Sequence, residues 1–384
     1  MRVMMIGPYP TTPARIDGGV AAAVTYLSQA LALDPRVDLV GVRITWNGRD
    51  SIEGDGLGWP VVDLPLGRFS VSTAYRRQRQ HFSRLILKHK PDIVHGQGAD
   101  LGGYLAVNCG LPSIVTVHGL LSECARFQTN IVARLRSTLA GLLTEYPTIR
   151  RARHLIAISP YVSRYYGRKI KGRIYDIPNA VSASYFQISR SSEAGRLLYA
   201  GRISNGKGLM DLVQAVARNR LLVSALIIAG ASPDPAYERV LRAEVERLGL
   251  TTKVKFVGLL DETKMVAEFS RAAALVLPSY QETAPMVIQQ AMAAGLPVIA
   301  SQVGGIPSQI RDGATGLLFR PGDVGRLAEL LRSLLTDIAL SGRLAEAAKA
   351  VAATFSAPAV ASNTVAVYES ILSADGRGAQ QDRR

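Results

Sequence analysis

The segment ALVLPSYQETAPMVIQQAMAAGLPVIAS, residues 274–301, sets one carboxylate, Glu282, between a short apolar run and a proline suited to open a helix. Residues 274–277 read as a buried strand that Pro278 ends, and Pro285 fits the first helical position, where no N–H is needed. A helix begun there leaves the N–H groups of Met286 and Val287 unpaired, with the positive end of the helix dipole behind them. That is an anion site. Glu282 repels an anion, so its chemistry is to accept hydrogen bonds from hydroxyls on whatever carries the anion. A phosphorylated sugar supplies both groups. An ordinary strand-to-helix turn explains the same residues without a ligand.

A second segment, RLLYAGRISNGKGLMDLVQAV at 196–216, carries the opposite charge. A strand over 197–201 runs into a glycine-bearing loop holding Arg202 and Lys207, and a helix follows from residue 209. Glycines let backbone approach a phosphate closely, and the two cations stand where a diphosphate needs its charge balanced. The loop is not the ATP-binding P-loop, because Gly208 rather than Ser or Thr follows Lys207, and the dinucleotide fingerprint GxGxxG is missing from it.

These half-sites need strands to aim them, and the hydrophobic pattern supplies two series. In the first half strands are expected near 2–6, 38–44, 92–95, 113–117, 154–158 and 174–177; in the second near 196–201, 224–229, 254–257, 274–277, 297–300 and 316–319. Strands alternating with helical stretches imply parallel sheets wrapped on both faces, an α/β architecture. With 384 residues and a hydrophobic share of 48%, the chain has length and material for two cores. The Ser-rich SASYFQISRSSEAG at 182–195 reads as the linker between them. His118 and His95 stand at strand ends, which in an open α/β sheet face the ligand crevice. His118 is expected to contact a sugar or acceptor, with a satisfied core histidine as the alternative for either residue. Asn179, after Pro178, reads as a turn residue.

Charge is the unusual bulk property, a formal net +15. Residues 1–188 hold 23 Lys and Arg against 12 Asp and Glu, whereas residues 189–384 hold 22 against 18. Part of the excess lies in 66–92, where Arg68, Arg76, Arg77, Arg79, Arg84, Lys88 and Lys90 share an expected helix with Phe69, Tyr75, Phe82, Leu85 and Ile86. Another part lies in CARFQTNIVARLRSTLAGLLTEYPTIRRARH, residues 124–154. No nucleic-acid motif accompanies the charge, so no nucleic-acid partner is expected. Basic residues beside exposed aromatics suit an anionic bilayer surface, and a solvated basic face on inward-packing helices is the alternative.

Two cysteines, Cys109 and Cys124, are too few for a disulfide framework and fall in stretches read as helix. Both are expected reduced and buried, which points to the cytoplasm. The start MRVMMIG is broken at Pro8 and reads as a first strand rather than a signal peptide. Glycines and prolines interrupt residues 101–122, so no membrane span is expected.

The chain resembles the retaining nucleotide-sugar glycosyltransferases of the GT-B fold, family 4 type (glycosyl transferases group 1). The resemblance runs from MRVMMIGPYP and DGGV through DIVHGQG, TVHG and IPNAV to GRISNGKG, PSYQETAPMVIQQAMAAGLPVIAS, VGGIPSQI and DGATGLLF; the last four, in that order, are the specific ones. It implies two Rossmann-like domains facing an interdomain cleft, an acceptor-binding domain at 1–185 and a donor-binding domain at 186–355. A helix over 356–372 would cross back to the first domain, and 373–384 would be a disordered tail. It also implies a nucleotide-diphosphate sugar as co-substrate, no metal or other cofactor, and a sugar or lipid-linked acceptor. Arg202, Lys207, Glu282 and His118 take the catalytic roles, with Gly18, Gly19, Thr283, Ala284, Pro285, Met286, Val287 and Gln290 around the donor. Gly18 and Gly19 equally well serve as plain helix-start glycines. Glu53 and Asp55 imitate the metal-binding carboxylate pair of the other glycosyltransferase fold, but no strand adjoins them and the likeness is a coincidence.

One position departs from the family. A second glutamate is usual eight residues after the first, and Gln290 stands there. Glutamine still accepts from ribose hydroxyls but without charge, and charge-assisted hydrogen bonds are roughly twice as strong as neutral ones. The expected activity is retaining transfer of a sugar to an acceptor hydroxyl in polysaccharide or glycolipid synthesis, in the cytoplasm or on the inner membrane face. A nucleotide-sugar epimerase of similar fold and a catalytically weak sugar-nucleotide-binding protein are the alternatives.

Overall fold

The computed structural model describes residues 1–11, 16, 18–45, 57–67, 70–121, 123 and 131–381, with the side chains of 131–133, 136 and 375–381 left undescribed. Arg68, Phe69, Glu53, Asp55 and Cys124 therefore lie outside the described residues. The chain divides into two compact units.

The first unit groups Val20–Ala180 and the helix from Ala357 with the N-terminal strand. Its sheet comprises β1 (Arg2–Gly7), β2 (Asp38–Thr45), β3 (Val61–Pro65), β4 (Ile93–Gln97), β5 (Ser113–Val117), β6 (His154–Ala157) and β7 (Arg173–Asp176). All pairs are parallel, in the order β3-β2-β1-β4-β5-β6-β7. Strand β3 is one more than the sequence pattern reveals. It is short, and Asp63 interrupts its apolar run; the carboxylate is tolerated because Arg43 of β2 grips it bidentately, at 2.6 and 3.1 Å, and the same guanidinium donates to the Pro10 carbonyl at 2.9 Å. A buried charge must be paired in this way or it destabilises its surroundings.

The second unit contains Val181–Ser356 together with Gly18 and Gly19. Its sheet comprises β8 (Arg196–Ala200), β9 (Ala225–Ala229), β10 (Val254–Gly258), β11 (Ala274–Leu277), β12 (Val298–Ser301) and β13 (Leu317–Phe319), again all parallel, in the order β10-β9-β8-β11-β12-β13. Both orders have one reversal. The chain builds outward from β1 to β3, then restarts on the other side of β1 with β4; it does the same from β8 to β10 and restarts with β11 beside β8. The loops after the two strands at such a reversal diverge and leave a crevice at their carboxyl ends.

Several expectations are corrected. Residues 182–195, read as a linker, hold no strand and form an ordered strap: helix Ala183–Phe186 opens it, the Arg190 guanidinium donates to the carbonyls of Phe269 and Ala272, and Glu193 pairs with Arg271 at 2.6 Å. The last helix, Ala357–Gln381, runs past residue 372 through much of the stretch read as a disordered tail. Cys109 is not helical; it follows helix Leu101–Val107, half-buried, with its thiol 3.0 Å from the Ala106 carbonyl. In helix Arg76–His89 Phe82 and Leu85 turn inward, with Tyr75 buried just before it, while Leu87, Arg76, Arg77, Arg79 and Arg84 are exposed. Among the described residues of this helix no exposed aromatic accompanies those arginines. Among the described residues no helix is long and apolar enough to cross a membrane.

Candidate active site

The loop that follows β11 meets those that follow β8 and β12 because two glycines let backbone touch backbone. Gly208 ends the turn Asn205–Lys207 at φ 65°, and a Cβ there would stand 2.1 Å from the Pro278 carbonyl oxygen. Gly304, at φ 53°, lies so close under the other loop that a Cβ would stand 1.8 Å from the Glu282 carbonyl, which also accepts from Gly305 N–H at 3.1 Å. Only glycine fits either place, for space and for its left-handed backbone. Tyr280 N–H donates to the Gly206 carbonyl at 2.9 Å, and Tyr280 hydroxyl donates to Asp211 at 2.6 Å, so the loops are tied twice more. The bond to Asp211 pushes the Tyr280 pKa up to about 12, because ionising the phenol would set it against a carboxylate.

Within this frame Lys207 Nζ donates to Glu282 Oε1 at 2.5 Å, and Ser279 hydroxyl donates to the same oxygen at 2.8 Å. The sequence assigns the lysine to phosphate and the glutamate to hydroxyls as separate tasks; the structure joins them as one ion pair, with side-chain exposures of 18% and 13%. Ser279 is held in turn by its carbonyl, which accepts from Ser301 hydroxyl at the end of β12. Arg202 is exposed, and among the described residues its guanidinium has no hydrogen-bond or ion-pair partner. Its carbonyl accepts from Tyr199 hydroxyl at 2.7 Å; burial raises that phenol's pKa, keeping the proton in place to fix the loop. Lys207, Arg202 and Glu282 thus stand on the two loops that flank the reversal.

The helix after β11 is Met286–Ala293, with Pro285 as its cap (φ −65°, ψ 121°) rather than its first residue. The shift is one position and leaves the N–H groups of Met286 and Val287 at the helix start, with no side-chain cap on them. Thr283 and Ala284 are buried in the approach to it, and Gln290, one turn further on, is 8% exposed. Gly18 has φ 97°, a left-handed conformation, and Gly19 is the first residue of helix Gly19–Ala32.

His118 belongs to a different construction, in the first unit. Its ring nitrogens lie 2.7 and 3.1 Å from the side-chain amides of Gln97 and Asn179, and Gln97 also reaches His95 at 3.2 Å. His95, fully buried, bonds Tyr368 hydroxyl at 2.6 Å and Thr116 hydroxyl at 2.7 Å. Burial lowers the His118 pKa to about 4 and that of His95 to about 3. Both rings are therefore neutral near pH 7, so His118 carries a single N–H, which donates to the amide oxygen of Gln97 or of Asn179. Such a ring orients a hydroxyl rather than balancing phosphate charge. His95 is the satisfied core histidine, locking the last helix to β4 and β5. Asn179 is more than a turn residue, since it is buried and fixes His118. Sequence reasoning missed Gln97, Ser279, Tyr280 and Asp211; a hydroxyl three residues before Glu282 is the signal that Ser279 offered.

The family profile described as Glycosyltransferase Family 4 matches residues 17–185, and that described as Glycosyl transferases group 1 matches residues 183–351. A glycogen synthase of Mycobacterium tuberculosis is 29% identical across 96% of this chain and 94% of its own length. A sucrose-phosphate synthase structure from Thermosynechococcus elongatus superposes with a TM-score of 0.81 at 24% identity, covering 97% of this chain and 99% of that one. An Anabaena protein solved in complex with UDP-glucose superposes with a TM-score of 0.76 at 19% identity, covering 96% and 100%. The likeness to these two structures is one of fold.

Proposed function

Because this chain belongs to the group 1 glycosyltransferases of the GT-B fold, we propose that it moves a hexosyl unit from a nucleotide-diphosphate sugar to an acceptor hydroxyl with retention at the anomeric carbon. The observation that carries this reading is the Lys207–Glu282 pair on the loops after β8 and β11, beside Arg202, which has no ion-pair partner among the described residues, and a helix start without a side-chain cap. A diphosphate draws on the cations and the N–H groups of Met286 and Val287, and sugar hydroxyls donate to Glu282. These interactions strengthen as charge develops on the departing diphosphate, which is where they lower the barrier.

The bond between the anomeric carbon and the diphosphate oxygen breaks, and the acceptor oxygen bonds that carbon from the same face. A leaving phosphate oxygen takes the acceptor's proton. His118, neutral and oriented by Gln97 and Asn179, positions the sugar or acceptor hydroxyl. No metal enters this scheme. The excess positive charge of residues 1–188 favours a lipid-linked or polysaccharide acceptor met at the cytoplasmic face of a membrane.

The test is incubation with a panel of UDP-, GDP-, ADP- and dTDP-hexoses, following nucleotide release and product anomer by NMR. Nucleotide diphosphate with an anomerically retained glycoside or free sugar supports the reading. An inverted product overturns retention, a changed free sugar identifies an epimerase, and binding without turnover identifies the catalytically weak binding protein that Gln290 favours.

A further inference from the structure

Residues 131–151 form one helical run: helix Ile131–Ala140, a π turn Gly141–Glu145 and helix Tyr146–Arg151. Its inward face is complete. Gly141, Thr144, Glu145, Thr148 and Ile149 are buried, and Glu145 accepts from Tyr166 hydroxyl. The outward face should then be polar. Instead it carries Leu135 (65% exposed), Leu139 (47%), Leu142 (57%) and Tyr146 (39%). Their spacing of four, three and four residues puts them in one stripe, about 16 Å long at 1.5 Å per residue.

Cations border this stripe. Arg134 is exposed at its start, and Arg150 and Arg151 are exposed at its end. Lys169 donates to Tyr146 hydroxyl at 3.1 Å with its ammonium 4.8 Å from the ring centre, and its neighbours Arg168 and Lys171 are exposed. The run holds four arginines and a single acidic residue, the buried Glu145. An apolar stripe edged by cations and free of exposed carboxylates complements a surface that is apolar beneath an anionic layer. A second copy of the chain would bring the same positive charge to the contact.

We infer that this face, and not the arginine-rich helix Arg76–His89, is where the protein docks on an anionic lipid bilayer, with Leu135, Leu139, Leu142 and Tyr146 inserted among the headgroups and Arg134, Lys169 and their neighbours on the phosphates. The inference rests on the reading that the acceptor is met at a membrane, and it assigns the surface that meets it.

Sedimentation with vesicles of phosphatidylcholine, with and without 30 mol% phosphatidylglycerol (about one anionic lipid in three), tests it on the full chain. The wild type partitions to the anionic vesicles. The triple variant Leu135→Ser, Leu139→Ser, Leu142→Ser loses at least about tenfold in partition coefficient, since each leucine withdraws several buried methylene groups. Replacing Arg76, Arg77, Arg79 and Arg84 by Ser has a smaller effect. Leu139→Trp gives a second readout that needs no loss of binding: its emission shifts to the blue with anionic vesicles and not in buffer alone. If the wild type ignores anionic vesicles, the membrane reading itself falls. If it binds and the triple variant binds equally, or Leu139→Trp does not shift, the membrane reading stands and this assignment of the face is overturned. Equal binding to both vesicle types overturns the anionic partner, and a concentration-dependent dimer abolished by the triple variant assigns the stripe to a second copy instead.

Discussion

Lys207 and Glu282, 75 residues apart in the chain, share a hydrogen bond of 2.5 Å across the loops that leave β8 and β11. Neither charge is neutralised by its own loop. The pair is mostly shielded from solvent, so removing one partner leaves the other charge in a poorly hydrated place. Lys207→Met and Glu282→Gln are each expected to lower thermal stability, by about 1–3 kcal/mol. The double variant recovers part of that loss, because it leaves no orphan charge. Melting curves of the three variants measure the coupling, and strict additivity contradicts the pairing.

Two glycines separate strain from crowding. Gly304→Ala would push a methyl group into the Glu282 carbonyl, whereas Gly313, at φ 72°, has open space around its Cβ position. Gly313→Ala is expected to cost about 1 kcal/mol, for the left-handed backbone alone. Gly304→Ala costs more, and it displaces Glu282, so turnover falls along with stability. Equal melting temperatures for the two variants would show that the contact at Glu282 yields freely.

Stability should fall on mild acidification. His95 and His118 have folded pKa values of about 3 and about 4, below the ordinary 6.5. Between pH 6.5 and those values the unfolded chain binds protons that the folded chain refuses, so the stabilisation is complete above 6.5 and declines as pH falls. Each ring contributes up to about 1.4 kcal/mol per pH unit across that window. Melting temperatures measured from pH 7.5 to 5 check this, and His118→Asn removes one of the two contributions. A flat profile would mean that the rings take up protons in the fold as readily as in the unfolded chain.

Much of this was legible in the sequence, for reasons that individual residues make plain. The strands appear because fully buried parallel strands are continuous apolar runs, and Leu197–Ala200 and Ala274–Leu277 are such runs. Strand β3 escaped because Asp63 breaks its run and only the neighbouring strand's Arg43 repairs it. Arg202, Lys207 and Glu282 stand out in the sequence by residue type, but the pairing of Lys207 with Glu282 does not, since strand order and not chain order sets β8 beside β11. The inward turn of Phe82 and Leu85 and the outward turn of Leu135 and Leu139 were equally hidden. Both segments are basic and amphipathic, and only packing decides which apolar face finds a partner.

Gln290 follows Glu282 by eight residues and is nearly buried. If it faces ribose hydroxyls, Gln290→Glu tightens a nucleotide diphosphate by at most about 1 kcal/mol, because the new carboxylate must also shed water beside a phosphate. Glu282→Gln acts on turnover more than on nucleotide affinity. Calorimetric titration of nucleotide diphosphate into both variants measures this. Unchanged affinity in Gln290→Glu, with weakened affinity in Glu282→Gln, would reverse the two assignments.

The clamp on the leaving diphosphate is the centre of this account, and donor turnover in Lys207→Ala and Arg202→Ala tests it most directly. With circular dichroism matching the wild type, nucleotide diphosphate release at saturating donor is predicted to fall about 100- to 1,000-fold in each variant, the usual cost of losing one preorganised group at a developing anion. Turnover near the wild-type value in either variant would contradict the clamp.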